Sequence, residues 1–303
     1  MVDQSDRRVG SASAPMHHGE IIQGVFSDGG RLRRGLVTIP CTLYPTTATF
    51  FPGIDPAITV APEWKSKALR AAELTVRGLR DLGLSCAGGH LEVASDVPLC
   101  RGFGSSTSDV LATIWAVEDA YSATLPATAV AMLAVQAERA SDSLMFEHRS
   151  VLFAHREGVL IEDFGAQLPA VSVLGFGTRP NAAGVDTLAL LPARYTPWEI
   201  DTFDVLRPML RDAVRARDVK LLGEVATAST TLNQRHLPIP ELDRIKALAL
   251  EVGALGIQTA HSGNVAGLLF DSDDPDTNGR LAQAGEMLQG LGVHEQWSFT
   301  TGG

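Results

Sequence analysis

A stretch of small and hydroxyl-bearing residues, about a third of the way along the chain, has the composition of an anion-binding loop. Its sequence is Pro98-Leu99-Cys100-Arg101-Gly102-Phe103-Gly104-Ser105-Ser106-Thr107-Ser108-Asp109. An apolar helical pattern follows at once and continues to Tyr121. The free backbone N–H groups and the dipole at such a helix N-terminus attract phosphate. The stretch therefore predicts a phosphate-binding loop that leads into a helix.

Two adjacent histidines and a glutamate lie near the N-terminus, in a segment of strand-like composition. His17 and His18 look like a metal-binding pair, but neighbours on a strand point to opposite faces, and a third ligand is not evident. We therefore expect no metal at this pair. Glu20 lies between glycine and isoleucine residues, and a carboxylate in apolar surroundings either has a hydrogen-bond partner or faces a ligand. A structural role and a substrate contact both remain open for Glu20.

A pair of acidic residues follows the next predicted helix. Glu138 and Asp142 are four residues apart, so on a continuing helix they would share one face. The alternative is a solvated acidic helix end beside Arg139.

The two common glycine-loop signatures do not match the candidate loop. A Walker loop needs Gly-x4-Gly-Lys-Ser/Thr, and the sequence contains no such run. A dinucleotide-binding loop needs Gly-x-Gly-x-x-Gly, and the stretch from Gly102 to Thr107 lacks the third glycine. Both of these nucleotide-binding classes are therefore excluded for this loop.

The remaining pattern, Pro-x-x-x-Gly-Phe-Gly-Ser-Ser-Thr, resembles the second motif of the GHMP kinase superfamily, which includes galactokinase, homoserine kinase and mevalonate kinase. That motif is Pro-x-x-x-Gly-Leu-Gly-Ser-Ser-Ala, and this sequence departs from it at Phe103 and Thr107. The segment 14–24, with Ala-Pro, Gly-Glu and a later Gly, is similar to the first motif, and the segment 256–268 is similar to the third. Three motifs occur in the family's order.

The resemblance implies an α+β fold of two domains. We expect a ribosomal-protein-S5-like N-terminal domain that carries the phosphate loop over residues 1–165, and a ferredoxin-like C-terminal domain over residues 166–303. The periodicity agrees with a mixed fold. Strands are predicted at 11–26, 36–39, 47–51, 90–94, 150–154, 159–161 and 170–175, two more lie on either side of a small polar loop within 256–270, and a last strand lies near Trp297. Helices are predicted at 62–83, 110–121, 126–138, 197–218, 219–234, 240–254 and around 281–291.

The resemblance also assigns roles at the loop and beyond it. It implies that ATP is bound by Pro98, Arg101, Gly102, Phe103, Gly104, Ser105, Ser106 and Thr107. Ser106 and Glu138 would bind Mg²⁺, and Asp142 would accept or orient the proton of the acceptor hydroxyl. Ser106 has a second interpretation, because Ser106 and Asp109 have the spacing of a helix capping box. The two roles of Ser106 are compatible.

Two segments are similar to the L-threonine kinase branch of the family. They are Gly19-Glu20-Ile21-Ile22-Gln23-Gly24 and His261-Ser262-Gly263-Asn264-Val265-Ala266-Gly267. The chain departs from that branch at His18, where a small residue or cysteine often precedes the Gly-Glu pair. The resulting substrate-site prediction consists of His18, Glu20, Ser262, Gly263 and Asn264. Arg149 and Arg235 are candidates to pair with a substrate carboxylate, and each is equally interpretable as a surface arginine.

The favoured hypothesis is thus an ATP- and Mg²⁺-dependent kinase that acts on a small hydroxylated amino acid, L-threonine or a close analogue. A kinase for another small alcohol, such as homoserine, a sugar or a mevalonate-like compound, is the alternative within enzymes. A ligand sensor that keeps the fold without turnover is a third hypothesis. The retention of Ser106, Glu138 and Asp142 argues against the sensor.

Composition limits the remaining possibilities. The chain has 303 residues, of which 45% are hydrophobic, and a formal net charge of −10, which argues against nucleic acid or an anionic membrane as the main partner. The three cysteines show no metal-ligand spacing, the first residues form no apolar leader, and no apolar run is long enough to cross a bilayer. We expect a cytoplasmic protein. The sequence leaves the oligomeric state open, a homodimer included.

Overall fold

A computed structural model describes residues 8–95, 103–178, 193–260 and 264–301. Within those residues the chain forms ten strands and seven helices. The strands are β1 (Gly10–Asp28), β2 (Arg31–Pro52), β3 (Ile58–Ala61), β4 (Gly89–Ser95), β5 (Val151–Ala154), β6 (Val159–Asp163), β7 (Val171–Gly177), β8 (Gly256–Thr259), β9 (Val265–Asp271) and β10 (Gln296–Thr301). The helices are α1 (Ser66–Asp81), α2 (Ser105–Ala120), α3 (Ala127–Glu138), α4 (Pro197–Ala216), α5 (Val219–Asn233), α6 (Leu242–Glu251) and α7 (Thr277–Gly290).

The described strands form one sheet that extends through both halves of the chain. Its order is β10-β7-β9-β8-β1-β2-β4-β3, and the β5–β6 hairpin joins it through β5 and β2. The long β1–β2 pair is antiparallel, with register irregularities between Ala14 and Met16, between His17 and Glu20, and between Glu20 and Ile22. Irregular register changes the direction in which side chains point. The irregular part of β1 is the segment that contains both histidines.

Seven helices cover this sheet in the described part of the chain, and three apolar clusters fill the space between the layers. The first lies between α1, α2, α3 and the strands β1, β2 and β4, and includes the fully buried Phe50. The second lies beneath α4 and α5 around Phe26 and Phe203. The third joins α6 and α7 to β7, β8 and β9. Helix α2 is buried along most of its length, so its N-terminus is held rigidly relative to the sheet.

Most sequence-predicted elements are present close to their expected bounds. The predicted strands at 36–39 and 47–51 are parts of the single strand β2. The four-residue strand β3 was not predicted. Helix α1 begins at Ser66 rather than at Pro62, because the preceding residues form a turn in which the Lys65 N–H donates to the Pro62 carbonyl at 3.0 Å. Among the described residues, no helix combines the length and the apolar character needed to cross a membrane.

Candidate active site

The N-terminus of α2 is built around a glycine that contacts a histidine of β1. Gly104, the residue before the helix, has φ 65° and carries no side chain that could cap the helix. A Cβ at this position would lie 1.9 Å from Cδ2 of His17, so only glycine fits beneath the imidazole ring. The backbone N–H of His17 also donates to the Phe103 carbonyl at 3.2 Å. The end of the phosphate loop is therefore attached to β1 through His17.

Ser106, in the first turn of α2, faces a buried carboxylate. Its hydroxyl donates to Glu138 Oε2 at 2.5 Å and accepts from Lys67 Nζ at 2.9 Å. Glu138 is 3% exposed. The capping box expected from Ser106 and Asp109 is wrong, because Asp109 instead accepts from the buried Lys65 ammonium at 2.5 Å. The Ser106 hydroxyl is thus hydrogen-bonded to Glu138 and does not cap the helix.

Thr107 joins the two predicted acidic residues. Its hydroxyl lies 2.8 Å from Glu138 Oε1 and 3.1 Å from Asp142 Oδ2. One hydroxyl proton serves one acceptor at a time, so the two carboxylates share this donor. The expectation that they share a helix face is wrong, because α3 ends at Glu138 and Arg139 adopts φ 70°. The acids are brought together by Thr107 and the turn after α3, rather than by helical spacing.

Asp142 also contacts His17. Asp142 Oδ2 lies 2.9 Å from His17 Nε2, and the imidazole is fully buried while Asp142 is 15% exposed. The Gly19 N–H donates to His17 Nδ1 at 3.1 Å. In the neutral form of the ring Nδ1 accepts this hydrogen bond and Nε2 carries the proton, and Nε2 lies within ion-pair distance of Asp142 without an aligned hydrogen bond to it. Glu20 Oε1 lies 3.9 Å from Nδ1, on the other side of the ring.

These contacts shift the pKa values of Glu138 and Asp142 in opposite directions. Burial raises the pKa of Glu138 to about 7, against the hydrogen bonds from Ser106 and Thr107. Burial also raises the pKa of Asp142, but His17 and the Thr107 hydroxyl together hold it below its usual range. Burial lowers the pKa of His17, yet Asp142, with Glu20 nearby, raises it to about 9. Asp142 is therefore the carboxylate that stays ionised, as a proton acceptor must.

Two oxygen-rich groups of side chains could hold a cation. Ser106 and Glu138 offer only oxygen ligands, the type that Mg²⁺ prefers. His17, Glu20 and Asp142 also present ligand atoms within 4.8 Å of one another. The sequence does not indicate this group, because Asp142 is far from the two β1 residues along the chain. Both nitrogens of His17 already have neighbours, Asp142 and the Gly19 N–H. The oxygen-only pair is the better fit to a hard cation.

His18 and Asn264, two residues of the predicted substrate site, are both buried. His18 is fully buried among Phe103, Trp297 and Phe299, in what we call the aromatic cluster, and its Nδ1 contacts Gln258. Burial, and the charge of neighbouring His17, lower the pKa of His18 to about 3. The Asn264 carbonyl accepts from the Thr178 N–H at 2.7 Å. Substrate contact by these two residues stays a prediction.

Glu20, the third predicted substrate contact that the structure describes, lies on the same strand as His17. It is 2% exposed and pairs in the sheet with Thr38 and Thr259. Its carboxylate faces the imidazole that contacts Asp142, and ligand atoms of Glu20, His17 and Asp142 lie within 4.8 Å of one another. The other predicted site residues lie outside the described part of the chain: Pro98, Arg101, Gly102, Ser262 and Gly263.

Both arginines considered for a substrate carboxylate have acidic partners in the protein. Arg149 Nη1 lies 2.6 Å from Asp163, on the surface. Arg235 Nη2 lies 2.6 Å from Glu199 and also donates to the Arg194 carbonyl. Each guanidinium is therefore already paired with a carboxylate of the protein.

Two residues at the site were not identified from the sequence. Lys67 reaches Ser106 from the first turn of α1, a helix for which the sequence indicated only an apolar face. His17 was considered only as half of a metal pair. The alternation of side chains along a strand correctly places His17 and His18 on opposite faces. It does not indicate which residues lie on each face.

Comparisons with known proteins match this chain to two family models and to several relatives. Residues 66–147 match the family model described as GHMP kinases N terminal domain, and residues 210–284 match that described as GHMP kinases C terminal. An L-threonine kinase of Salmonella typhimurium is 26% identical over 281 residues, which cover 91% of this chain and 88% of the relative. An L-threonine kinase of Citrobacter freundii is 29% identical over 62% of this chain and 65% of the relative. A homoserine kinase of Lactococcus lactis is 25% identical over 61% of this chain and 63% of the relative.

Solved structures are similar over almost the whole chain. The homoserine kinase of Cytophaga hutchinsonii has a TM-score of 0.67 at 17% identity and covers 100% of this chain and 97% of its own. The galactokinase of Lactococcus lactis, complexed with galactose, has a TM-score of 0.62 at 15% identity, with 98% and 94% covered. The predicted α+β, two-domain fold is confirmed by these matches.

Proposed function

Because this chain belongs to the GHMP kinase family, we propose that it transfers the γ-phosphoryl group of ATP to the side-chain hydroxyl of a small amino acid, L-threonine or a close analogue. The observation that carries the proposal is the hydrogen-bonded network at the N-terminus of a buried helix, in which Ser106 and Thr107 both donate to Glu138 and Thr107 also contacts Asp142. The similarity to two L-threonine kinases supports the choice of acceptor.

The N-terminus of α2 supplies the phosphate-binding end of the site. The first N–H groups of the helix have no intrahelical acceptor, and the helix dipole adds positive potential there. Lys67 adds a positive charge 2.9 Å from the Ser106 hydroxyl. Phosphoryl transfer requires little covalent chemistry from the protein, so positioning and charge stabilisation are its main contributions.

Ser106 and Glu138 are the residues that would hold Mg²⁺. Their oxygens are 2.5 Å apart, and a buried Glu138 carboxylate is stabilised by a neighbouring cation. When bound, the ion would neutralise negative charge on the triphosphate. Glu138 also accepts from Thr107, so its orientation is defined before any ion binds.

Asp142 would accept the proton of the acceptor hydroxyl. The hydroxyl oxygen forms a bond to the γ-phosphorus while the bond from that phosphorus to the β–γ bridging oxygen breaks, so ADP leaves and the hydroxyl proton goes to Asp142 Oδ. The lowered pKa of Asp142 keeps it ionised at neutral pH, so it can orient the hydroxyl in the ground state. Thr107 and His17 both contact its Oδ2, at 3.1 Å and 2.9 Å.

The test is a coupled ADP-release assay with L-threonine, L-serine, L-homoserine, galactose and mevalonate as acceptors. We expect turnover with a hydroxylated amino acid, and identification of the O-phosphorylated product by mass spectrometry. Turnover with galactose or mevalonate alone would reject the amino-acid acceptor while leaving a kinase. ATP binding without turnover on any acceptor would favour a sensor and reject the proposal.

Homoserine remains the second candidate acceptor, because a homoserine kinase is 25% identical over 61% of this chain. L-Threonine and L-homoserine carry the same amino and carboxylate groups and differ in the position of the hydroxyl. The ratio of kcat/KM for these two acceptors decides between them. A cytoplasmic location, where ATP is available, is part of the proposal and is supported by the free thiols of Cys41 and Cys86.

A further inference from the structure

We propose that His17 is a positioning residue that holds the Asp142 carboxylate in place and connects it mechanically to the phosphate loop. The inference rests on the proposed function, in which Asp142 takes the proton of the acceptor. His17 would act only through Asp142 and the loop, and it would touch neither ATP nor the acceptor.

The first argument is the contact between the two side chains. His17 Nε2 lies 2.9 Å from Asp142 Oδ2, and the imidazole is fully buried. Thr107 reaches the same oxygen at 3.1 Å. Two contacts to Oδ2 restrict rotation of the carboxylate and leave Oδ1 as the oxygen that can turn toward a substrate.

The second argument is that His17 is itself held in one orientation. The Gly19 N–H lies 3.1 Å from Nδ1, which restricts the orientation of the ring and leaves Nε2 as the nitrogen in ion-pair contact with Asp142. Gly19 has φ +71°, and a Cβ there would lie 2.6 Å from the Ala260 nitrogen, so this backbone conformation requires glycine. The β1–β2 register is irregular directly after His17, between His17 and Glu20.

The third argument is that the same residue contacts the phosphate loop twice. The His17 N–H donates to the Phe103 carbonyl at 3.2 Å. The imidazole lies against Gly104, where any Cβ would be within 2.1 Å of Nε2. A displacement of the loop would therefore move the imidazole and, through it, Asp142. One side chain links the group that orients the acceptor to the loop that binds the donor.

The experiment measures kcat and KM for ATP in the wild-type protein and in two variants, His17→Ala and His17→Gln. We expect His17→Ala to lower kcat roughly 10- to 100-fold with KM for ATP changed less than about threefold, as for loss of a group that orients a catalytic residue. His17→Gln keeps an N–H donor near the position of Nε2 and should restore most of kcat. His90→Ala, which removes a half-exposed histidine of β4, is the matched control. A kcat for His17→Ala within about twofold of the wild type would overturn the proposal.

A double-mutant cycle separates positioning from a general structural role. In an Asp142→Asn background, His17→Ala should change kcat by less than about threefold, because the group that it positions is already disabled. An unchanged 10- to 100-fold loss in that background would show that His17 acts independently of Asp142 and would overturn the inference. Thermal unfolding of each variant, compared with His90→Ala, identifies any loss that comes from unfolded protein.

A spectroscopic measurement tests the contact without requiring turnover. In ¹⁵N-histidine-labelled protein at pH ~10, above the pKa of about 9 that His17 has in the fold, the neutral ring should show a protonated Nε2 and an unprotonated, hydrogen-bonded Nδ1, and Asp142→Asn should shift the Nε2 signal. A Nδ1–H tautomer, or no shift in the variant, rejects the positioning contact. If the wild-type protein turns over no acceptor, the proposed function fails while this spectrum still reports on the contact.

Discussion

His17 and His18 are adjacent and both fully buried, yet they lie in opposite chemical environments. His17 contacts Asp142 and lies beneath the phosphate loop, and its pKa is raised to about 9. His18 points into the aromatic cluster, and its pKa is lowered to about 3. Residue type and burial are the same at both positions, so what differs is the set of neighbours.

This difference teaches how one strand can serve two purposes at neighbouring positions. The His17 side belongs to a polar network that contains Thr107, Glu138 and Asp142. The His18 side packs Phe103 of the loop against Trp297 of β10, with ring centroids 5.0 Å apart. The loop is therefore held by hydrogen-bonded groups on one side and by apolar packing on the other. Five substitutions test whether these two sides separate activity from stability.

The largest effect is expected at the acid on the polar side. Asp142→Asn should lower kcat about 10³-fold, since an amide cannot accept the acceptor proton. The KM for ATP should change by less than about threefold, because the phosphate loop and Glu138 remain. Steady-state kinetics with saturating acceptor give both values. Asp163→Asn, on the surface beside Arg149, is the control. Near-normal turnover in Asp142→Asn would remove this residue from the mechanism.

A smaller effect is expected at the other carboxylate of the network. Glu138→Gln keeps the size of the side chain and removes its charge, so the Mg²⁺ concentration for half-maximal activity should rise roughly 10- to 100-fold. Ser106→Ala should raise it in the same direction. Activity is titrated with Mg²⁺ at a fixed ATP concentration. An unchanged Mg²⁺ dependence in both variants would show that the ion binds elsewhere.

The aromatic side should control the pH dependence of stability instead. The folded pKa of His18, about 3, lies below its ordinary value of 6.5, so the unfolded chain takes up a proton first as the pH falls. The contribution of neutral His18 to stability is therefore fully present above pH ~6.5, and it is lost progressively below that pH, by about 2 kcal/mol at pH ~5. His18→Leu should remove this part of the pH dependence, measured by urea unfolding at the two ends of that range.

The corresponding control for this titration is a second buried histidine. Burial lowers the pKa of His155 to about 4, so its contribution has the same sign and persists in His18→Leu. His17 has the opposite sign, because its raised pKa stabilises the fold at low pH and that stabilisation is lost as the pH rises toward 9. An identical pH dependence in His18→Leu and in the wild type would contradict the assignment of a neutral, buried His18.

The smallest effect is expected where the chain departs from the family motif at Phe103. Phe103→Leu should lower the free energy of unfolding by about 1 kcal/mol, since ring contacts with His18, Tyr44 and Trp297 are lost while much of the apolar volume is kept. The comparison is with Phe51→Leu, at a position that is 38% exposed. Equal losses in the two variants would mean that the aromatic cluster adds no specific stability.

Local patterns were sufficient for much of this protein. Helical periodicity and turn residues predicted α2 behind a glycine-containing loop, because the signals lie within one or two turns of chain. The roles of Ser106, Glu138 and Asp142 came from the resemblance to the family motifs. The structure adds hydrogen bonds that join Ser106 to Glu138 directly and Glu138 to Asp142 through Thr107, between residues more than thirty positions apart.

Other features depended on contacts that no local pattern contains. The capping box failed because Ser106 and Asp109 each have a partner from another element, Glu138 and Lys65. The shared helix face failed because Arg139 turns the chain after α3. Strand alternation correctly separates His17 from His18, since it is a property of the backbone itself. Only the tertiary structure decides which one meets a carboxylate, because the partners come from other strands and turns and their effect on pKa depends on burial and distance.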